Sequence, residues 1–149
     1  MADIDITQAE ADALIEMEKR RADDTAVLFP IPGTRLSVAL TSVDKRENFS
    51  LDITRARIKF TKATYQNRAR QAIVLMRLDF DGPSHRNPDG EEIPCPHLHI
   101  YREGYGDKWA IAAPADRYPY PADLFTTFEA FMVHCNIIDP PQIEKGLFA

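Results

Sequence analysis

The sequence predicts an α+β domain in which one antiparallel sheet is flanked along the chain by two helices. Helical patterns lie near the two ends, one rich in acidic residues and one rich in aromatic residues. Between them, apolar and polar residues alternate over short segments separated by turn residues, which is typical of half-buried strands. We therefore expect an N-terminal helix, a meander of about five to six strands, and a C-terminal helix packed on the sheet.

The composition narrows the class of protein before any motif is considered. The 149 residues are 44% hydrophobic, which is enough for one core, so we expect a single domain spanning 1–149. No apolar run approaches the ~20 residues of a membrane-spanning helix. The acidic start, from Met1 to Asp5, lacks the basic and apolar regions of a signal peptide. Two cysteines, Cys95 and Cys135, make no disulfide framework, and we expect a cytoplasmic protein.

An acidic segment at residues 1–24 contains the first predicted helix. Thr7 and Glu10 have the spacing of a capping box, in which each side chain satisfies a backbone amide at the start of a helix. Acidic residues follow in the first turns, and the basic run at 19–21 falls in the expected last turn, where cations complement the helix dipole. The segment is therefore predicted to form a helix along one edge of the domain.

Residues 34–113 are predicted to form the antiparallel sheet. Period-two alternation over 36–40, and again from Phe49 onward, indicates two strands joined by a polar turn. Beyond Ile53 the alternation changes phase, as at a β-bulge, so that apolar and basic residues point to opposite faces. The apolar face of this continuation is expected to hold Ala56, Ile58 and Phe60, and the basic face Arg55, Arg57 and Lys59.

The second half of the sheet is predicted from one apolar run and one hairpin. Residues 65–68 are expected to form a turn, and the nearly continuous apolar run at 72–78 to form a central strand buried on both faces. A polar loop follows, and the segments 97–101 and 108–112 are expected to form a hairpin with a glycine-containing turn between them. The polar loop and this hairpin contain three of the four histidines.

The last predicted helix covers residues 121–136. Pro121 suits a first turn, and Asn136 suits a C-terminal cap before the prolines that follow. Large apolar residues recur at helical spacing, and their expected role is to cover one face of the sheet. These residues are Leu124, Phe125, Phe128, Phe131 and Met132.

The distribution of charge is uneven. The net charge is −5, and residues 1–24 account for all of it, because they hold eight acidic residues and three basic ones. Between Asp52 and Asp79 there are seven basic residues and no acidic one. This stretch is either a solvated basic face covered by the acidic segment or by a partner, or a surface that contacts phosphates. The predicted nucleic-acid contacts are Arg55, Arg57, Lys59, Lys62, Arg68, Arg70 and, on the hairpin, Lys108.

Histidines and cations are concentrated around the predicted hairpin. Because side chains alternate along a strand, His97 and His99 are expected to share one face with Cys95 and Tyr101, while Leu98 points to the other. Further polar residues occur on the hairpin or on the loop before it. They are His85, Arg86, Arg102, Glu103, Tyr105 and Lys108.

The first interpretation of this cluster is a metal site. A His-x-His pair on a strand supplies two imidazoles to zinc, so His97 and His99 are the expected ligands. The third ligand is left open among His85, Cys95 and Asp81. Zinc is the one cofactor that the sequence suggests.

The second interpretation is acid/base chemistry on a phosphodiester without any cofactor. An imidazole exchanges protons near neutral pH, and an arginine or lysine stabilises charge on phosphorus oxygens. RNA is the favoured substrate because its 2′-hydroxyl is an internal nucleophile. The third interpretation is a polar sheet face, or a binding surface, without chemistry. The predicted catalytic set is His85, Arg86, His97, His99, Tyr101 and Arg102, with Lys108 as a further cation.

Two resemblances bear on these interpretations. The block at residues 94–110 reads PCPHLHIYREGYGDKWA, and the segment at 77–88 reads RLDFDGPSHRNP. Together they resemble a family of uncharacterised small proteins of bacteria and their mobile elements. The layout of helix, basic and histidine-bearing meander, and helix also resembles the RelE-like ribonuclease toxins of toxin–antitoxin pairs. That second resemblance implies RNA as a substrate and an antitoxin-like protein as a partner.

The sequence thus predicts a small protein that acts on RNA, as a toxin-like, metal-independent endoribonuclease. One alternative is a non-catalytic protein that binds nucleic acid or a protein partner, such as a phage or defence-system factor. The other alternative is a protein that binds zinc through the His-x-His strand. No membrane association is expected, and the oligomeric state is left open.

Overall fold

The computed structural model describes residues 5–146, and this part of the chain contains two helices and twelve strands. The helices are α1 (Gln8–Glu16) and α2 (Leu124–His134). The strands before the polar loop are β1 (Lys19–Arg21), β2 (Val27–Leu28), β3 (Arg35–Ser42), β4 (Asn48–Arg55), β5 (Ala63–Ala69) and β6 (Ile73–Phe80). The later strands are β7 (His85–Arg86), β8 (Glu92–Ile93), β9 (His97–Ile100), β10 (Ala110–Ala112), β11 (Ile137–Asp139) and β12 (Ile143–Glu144).

Eight strands form one sheet in the order β10-β9-β6-β5-β4-β3-β1-β11, and the other four form two-stranded sheets. All neighbours in the large sheet are antiparallel except β1 and β11. The α+β class and the meander are therefore confirmed, but the sheet has more strands than predicted. The additional strands are short segments near the two ends of the chain, which pair with each other and extend the sheet beyond β3.

The first helix begins as predicted and ends earlier. The Thr7 side chain accepts a hydrogen bond from the Glu10 amide at 3.1 Å, which confirms the N-terminal cap. The helix ends at Glu16, and Lys19 lies in β1 instead of the last helical turn. Its fully buried ammonium group donates to the carbonyls of Ile15, Met17 and Cys135 at 2.8–3.0 Å. Lys19 therefore complements the end of α1 from a neighbouring strand.

Both helices pack against one side of the sheet, here called the helix face. Tyr65 on β5 is fully buried there, its ring contacts Phe128 of α2 at 5.1 Å, and its hydroxyl donates to the Leu124 carbonyl at 2.7 Å. Ala11 and Leu14 of α1 belong to the same hydrophobic core. The predicted packing of the C-terminal helix on the sheet is confirmed, although α2 begins after Asp123 instead of Pro121.

The opposite side of the sheet, here called the polar face, carries hydrophilic residues in register. Residues paired directly across strands project to the same face. One continuous row crosses β3, β4, β5, β6 and β9, and a second row crosses β5, β6 and β9. The first row is Ser37, Asp52, Gln66, Arg77 and His99, and the second is Thr64, Asp79 and His97. This explains why β6 is buried on the helix face alone and not on both faces as predicted.

The predicted basic face beyond Ile53 is wrong. Strand β4 ends at Arg55, and the chain then turns, with Ile58 90% exposed and Phe60 63% exposed instead of forming an apolar face. Residues 65–68 lie inside β5, and the actual turn follows at residues 70–71. The apolar residues in the turn alternate with basic ones as they would in a strand, but no described strand pairs with this segment and buries them.

Candidate metal site and polar cavity

The two histidines of β9 face the polar side of the sheet, as strand alternation predicts. In the pairing with β6, His97 lies opposite Asp79 and His99 lies opposite Arg77. His97 is 3% exposed and His99 is fully buried. Four polar side chains from two adjacent strands therefore meet beneath the surface of the polar face.

Asp79 is the centre of this cluster. Its Oδ2 atom lies 3.2 Å from Nε2 of His97 and 3.2 Å from Nε2 of His99. Its Oδ1 atom accepts a hydrogen bond from the Thr64 hydroxyl at 2.8 Å. Burial opposes ionisation of Asp79, but the hydrogen bond with His99 and the charge of Arg77 outweigh it and hold the pKa of the carboxyl well below its usual range. Asp79 is therefore a carboxylate at neutral pH.

The rings of both histidines are oriented by contacts at Nδ1. Nδ1 of His99 lies 2.7 Å from the Asp107 carbonyl, which only accepts, so Nδ1 donates there and Nε2 is the ring atom that faces Asp79 and Arg77. Nδ1 of His97 lies 3.5 Å from Sγ of Cys95. Burial lowers the pKa of His97, and the neighbouring His99 and His85 lower it further against the opposing effect of Asp79. A neutral His97 is therefore favoured.

Arg77 places a positive charge beside the same atoms. Its guanidinium lies 3.0 Å from Nε2 of His99 and donates to Oδ2 of Asp79 at 3.2 Å. A third contact joins it to the Asp107 carboxylate at 2.6 Å. Asp107 thus anchors Arg77 independently of Asp79 and His99.

The donor atoms of Asp79, His97 and His99 fit a divalent metal. They lie within 4.8 Å of one another. Atoms bonded to one tetrahedral zinc at its usual distances lie about 3.3 Å apart, close to the two 3.2 Å separations that involve Asp79. A ligating histidine commonly donates its other ring N–H to a carbonyl or another acceptor, as His99 does to the Asp107 carbonyl.

The third donor that joins the two histidines is thus Asp79, and none of the three predicted candidates belongs to this group. Asp81 forms an ion pair with Lys59 at 2.8 Å. Cys95 contacts the ring nitrogen of His97 that faces away from Asp79. His85 packs beside His99, with ring centroids 4.5 Å apart, but its Nε2 atom contacts the Lys108 carbonyl at 2.7 Å. These side chains surround the site without joining the donor set.

A polar cavity of about 450 Å³ opens next to the cluster. Asp79 and His97 reach it from the site, and Arg77 lines it as well. The remaining wall combines one lysine and hydroxyl, thiol and imidazole groups with apolar residues, among them Phe80 and Pro83. The polar residues of this wall include Lys62, Thr64, Ser84, His85 and Cys95.

Three predicted catalytic residues lie outside this site. Tyr101 is 3% exposed, and its hydroxyl bonds to the amide and the carbonyl of Ile6 at 3.0 Å each. Arg102 stacks over Trp109, with its guanidinium carbon 4.1 Å from the ring centroid. Arg86 forms an ion pair with Glu92 at 3.0 Å. The prediction that Tyr101 shares the face of His97 and His99 is wrong because β9 ends at Ile100, and alternation no longer sets the side-chain direction.

The predicted phosphate-binding residues do not form a free positive surface. Arg55 is 4% exposed and donates to the Pro30 and Phe60 carbonyls. Three others form ion pairs: Lys59 with Asp81, Arg68 with Asp52, and Arg70 with both Glu10 and Glu47. Arg57 packs beside Gly33, and Lys62 lines the polar cavity. The backbone carbonyl of Lys108 contacts the ring of His85. All of the partner acids lie outside the acid-free stretch, so the count along the sequence did not include them.

Sequence reasoning missed Asp79, Arg77 and Asp107. Arg77 and Asp79 are two residues apart on β6, and this spacing already placed both on one strand face. Because β6 was predicted to be buried on both faces, these two polar residues were not assigned to a site. The position of Asp107 depends on the turn between β9 and β10 and had no periodic signal.

The fold and the site define an α+β protein with one large, mainly antiparallel sheet and a buried aspartate–histidine–histidine cluster on its polar face. The chain belongs to DUF6978, a family of unknown function, whose family model matches residues 6–137. Membership agrees with the expected resemblance to an uncharacterised family, while the likeness to RelE-like toxins stays a prediction.

Searches of curated proteins and of solved structures returned no match to the chain. Among residues 5–146, no helix has the length and apolar character needed to cross a membrane.

Proposed function

We propose that this protein binds a divalent transition metal, with Zn²⁺ as the first choice, through Asp79, His97 and His99. The observation that carries the proposal is the convergence of one carboxylate oxygen and two imidazole nitrogens within 4.8 Å. Two histidines and one carboxylate are an established donor set for zinc. The neutral state favoured for His97 leaves that ring able to act as a ligand.

Arg77 is compatible with this proposal because it has a second anchor. A metal ion would take over the contacts that the guanidinium makes with Asp79 and His99. Arg77 would keep its 2.6 Å ion pair with Asp107. Two carboxylates, Asp79 and Asp107, would therefore offset two of the three positive charges that the metal and Arg77 carry together.

The surroundings favour a catalytic site over a purely structural one. Three protein ligands leave a tetrahedral metal with one position for water or substrate, whereas structural zinc sites have four protein ligands. Zinc in such a site supplies a bound water of lowered pKa and polarises a substrate oxygen. The polar cavity beside Asp79 and His97 provides the space for that molecule.

RNA, or another phosphodiester, is the substrate class that we propose for this cavity. Lys62 and Arg77 line it and supply positive charge for a phosphate. The metal-independent alternative uses the same residues, with His97 as the proton-transferring group between Asp79 and the cavity. The two mechanisms differ in one measurable property, which is their dependence on a bound metal.

Metal binding is tested by competition between the chelator-treated protein and a chromophoric zinc indicator. We expect one equivalent of Zn²⁺ per chain and at least a 100-fold loss of affinity in His97→Ala and in His99→Ala. His134→Ala is the matched control, because His134 lies on α2 outside the cluster, and its affinity is expected to match the wild type. Unchanged affinity in both ligand variants would refute the proposal.

RNA cleavage is tested with labelled single-stranded RNA and the same protein preparations. Loss of cleavage with chelator, restored by Zn²⁺, supports metal-dependent cleavage, whereas cleavage that persists supports acid/base chemistry by the histidines. Lys62→Met is expected to reduce cleavage about tenfold, and Lys45→Met, in the β3–β4 turn, is the control. Zinc binding without RNA cleavage or RNA binding would leave the metal proposal intact and eliminate RNA as the substrate.

A further inference from the structure

A second cavity lies on the helix face of β9, the strand that carries His97 and His99, and of its neighbour β10. It has a volume of about 690 Å³, within the range of small-molecule sites. Leu98 and Ile111 pair across β9 and β10, and Ile100 follows on the same face. These three residues provide an apolar wall for what is here called the apolar cavity.

This wall extends beyond the part of the sheet that the helices mainly cover. Helix α1 packs chiefly on β6, and helix α2 packs on β5 and β11. Ile100 is 36% exposed and Ile111 is 51% exposed. The short hairpin of β7 and β8 borders the cavity on another side through Ile93.

Two donors at this cavity have no acceptor in the part of the chain that the structure describes. The indole N–H of Trp109 is buried and makes no hydrogen bond with any described residue. A buried donor without a partner is rare and requires an explanation. The Arg102 guanidinium stacks on the Trp109 ring, and within residues 5–146 no carboxylate forms an ion pair with it.

Two neighbouring acidic residues are already engaged by other donors, and a third, Glu91, lines the cavity without an ion pair to Arg102. Glu92 accepts from Arg86 at 3.0 Å and from Ser84 at 3.1 Å. Glu103 accepts from the Gln8 amide at 2.9 Å. Arg102 is the one basic residue among the described residues that line the cavity.

We propose that the apolar cavity binds a small organic carboxylate whose remaining part is apolar. The carboxylate accepts hydrogen bonds from Arg102 and from the Trp109 indole. The apolar part packs on Leu98, Ile100 and Ile111. This site lies on the opposite face of β9 from His97 and His99, so it is independent of the proposed metal.

The experiment uses Trp109 as the reporter, since it is the single tryptophan of the chain. The full chain is titrated with 4-phenylbutyrate, octanoate and benzoate while tryptophan fluorescence is recorded, and calorimetry confirms the stoichiometry. We expect saturable binding of at least one of these carboxylates at one site per chain. The neutral analogue 4-phenylbutanol is expected to bind at least tenfold more weakly than 4-phenylbutyrate, because a charged hydrogen bond is lost.

Variants locate the site. Arg102→Met keeps a long side chain over Trp109 without the charge and is expected to reduce affinity about tenfold, whereas Arg102→Lys restores part of it. Arg46→Met, in the exposed β3–β4 turn, is the matched control with unchanged affinity. Unfolding midpoints of all variants are measured alongside, so that a folding defect is recognised.

Several results would overturn the proposal. One is the absence of saturable binding of all three carboxylates at millimolar concentration. Another is equal affinity for the acid and the alcohol, or equal affinity of wild type and Arg102→Met. A dimer in sedimentation experiments that Ile111→Asp dissociates would show that a second copy covers this wall instead. Loss of zinc binding in His99→Ala without any change in carboxylate binding is expected, because the two sites are separate.

Discussion

Asp52 and Asp79 lie on the same polar face, and their surroundings differ. Asp52 is 4% exposed and accepts from Ser37 at 2.7 Å, from Gln66 at 2.8 Å, and from Arg68 through two nitrogens at 2.5 and 3.0 Å. Asp79 faces two imidazole rings, the Thr64 hydroxyl and Arg77.

The difference shows how cross-strand neighbours decide the role of a carboxylate. The donors of Asp52 are a hydroxyl, an amide N–H and a guanidinium, and none of these groups offers the imidazole or thiolate lone pair that zinc prefers. The imidazoles beside Asp79 offer such lone pairs. Asp52 therefore completes a closed structural ion pair, whereas Asp79 forms part of a donor set that a cation can enter.

The largest expected effect is a difference in zinc affinity between variants of Asp79 and variants of Asp52. Asp79→Asn removes a charged ligand and should weaken zinc binding at least 100-fold in the indicator competition. Asp52→Asn should leave zinc affinity within about twofold of the wild type. Equal losses in the two variants would mean that the polar face responds as a whole and that no local site exists.

The second comparison concerns stability of the metal-free protein. Asp52→Ala leaves Arg68 without its carboxylate and should lower the free energy of unfolding by about 2 kcal/mol, less than for a fully buried pair because Arg68 is partly exposed. Asp79→Ala should cost about 1 kcal/mol, since Asp107 still pairs with Arg77. Urea unfolding measures both values, and a larger loss for Asp79→Ala would reverse the structural and functional assignments.

The third prediction concerns the pH dependence of stability and uses His134, a histidine of α2 that lies outside the polar-face cluster. Burial, with a smaller contribution from Arg117, lowers the pKa of His134 to about 4, and its Nδ1 contacts the Tyr118 hydroxyl at 2.8 Å. A folded-state pKa below the unfolded value of 6.5 means that stability is complete above pH 6.5 and falls as pH drops towards 4. The expected loss is roughly 1–2 kcal/mol after allowance for partial exposure.

The measurement is urea unfolding of wild type and His134→Gln at pH 7.5 and pH 4.5. The variant should show the smaller loss of stability on acidification, by the stated amount. The same loss in both proteins would place the acid sensitivity elsewhere, for example in the carboxylates of the polar face.

The smallest expected effect concerns the cation that accompanies Asp79. Arg77→Met removes a positive charge that contacts Asp79 and His99, so zinc affinity should rise about threefold to tenfold. Arg68→Met removes the corresponding cation beside Asp52 and should leave zinc affinity unchanged. A fall in affinity in Arg77→Met would show that Arg77 orients the ligands instead of competing with the metal.

Local patterns in the chain were sufficient for several parts of the fold. The capping box at Thr7 and Glu10 predicted the start of α1, because a cap depends on residues within one helical turn. The common face of His97 and His99 followed from alternation within a single strand. Both predictions depend on contacts between residues that are near each other in sequence.

Patterns of the same kind were misleading where a strand ended. The sequence around Ile58 and Phe60 alternates, but the structure turns there and exposes both side chains. The predicted face of Tyr101 is wrong for the same reason, because this residue lies one position beyond the end of β9. Alternation predicts a face only while a neighbouring strand continues the pairing.

The sequence by itself determined the class of fold, the hairpin that carries the histidines, and their common face, since helical and strand periodicities are local properties of the chain. Only the tertiary structure decided that Asp79 is the third donor, that Arg55 is buried, and that β1 pairs with β11. Each of these depends on which distant segments become neighbours. That choice is made by packing the whole sheet against its helices, and no single segment of the sequence contains it.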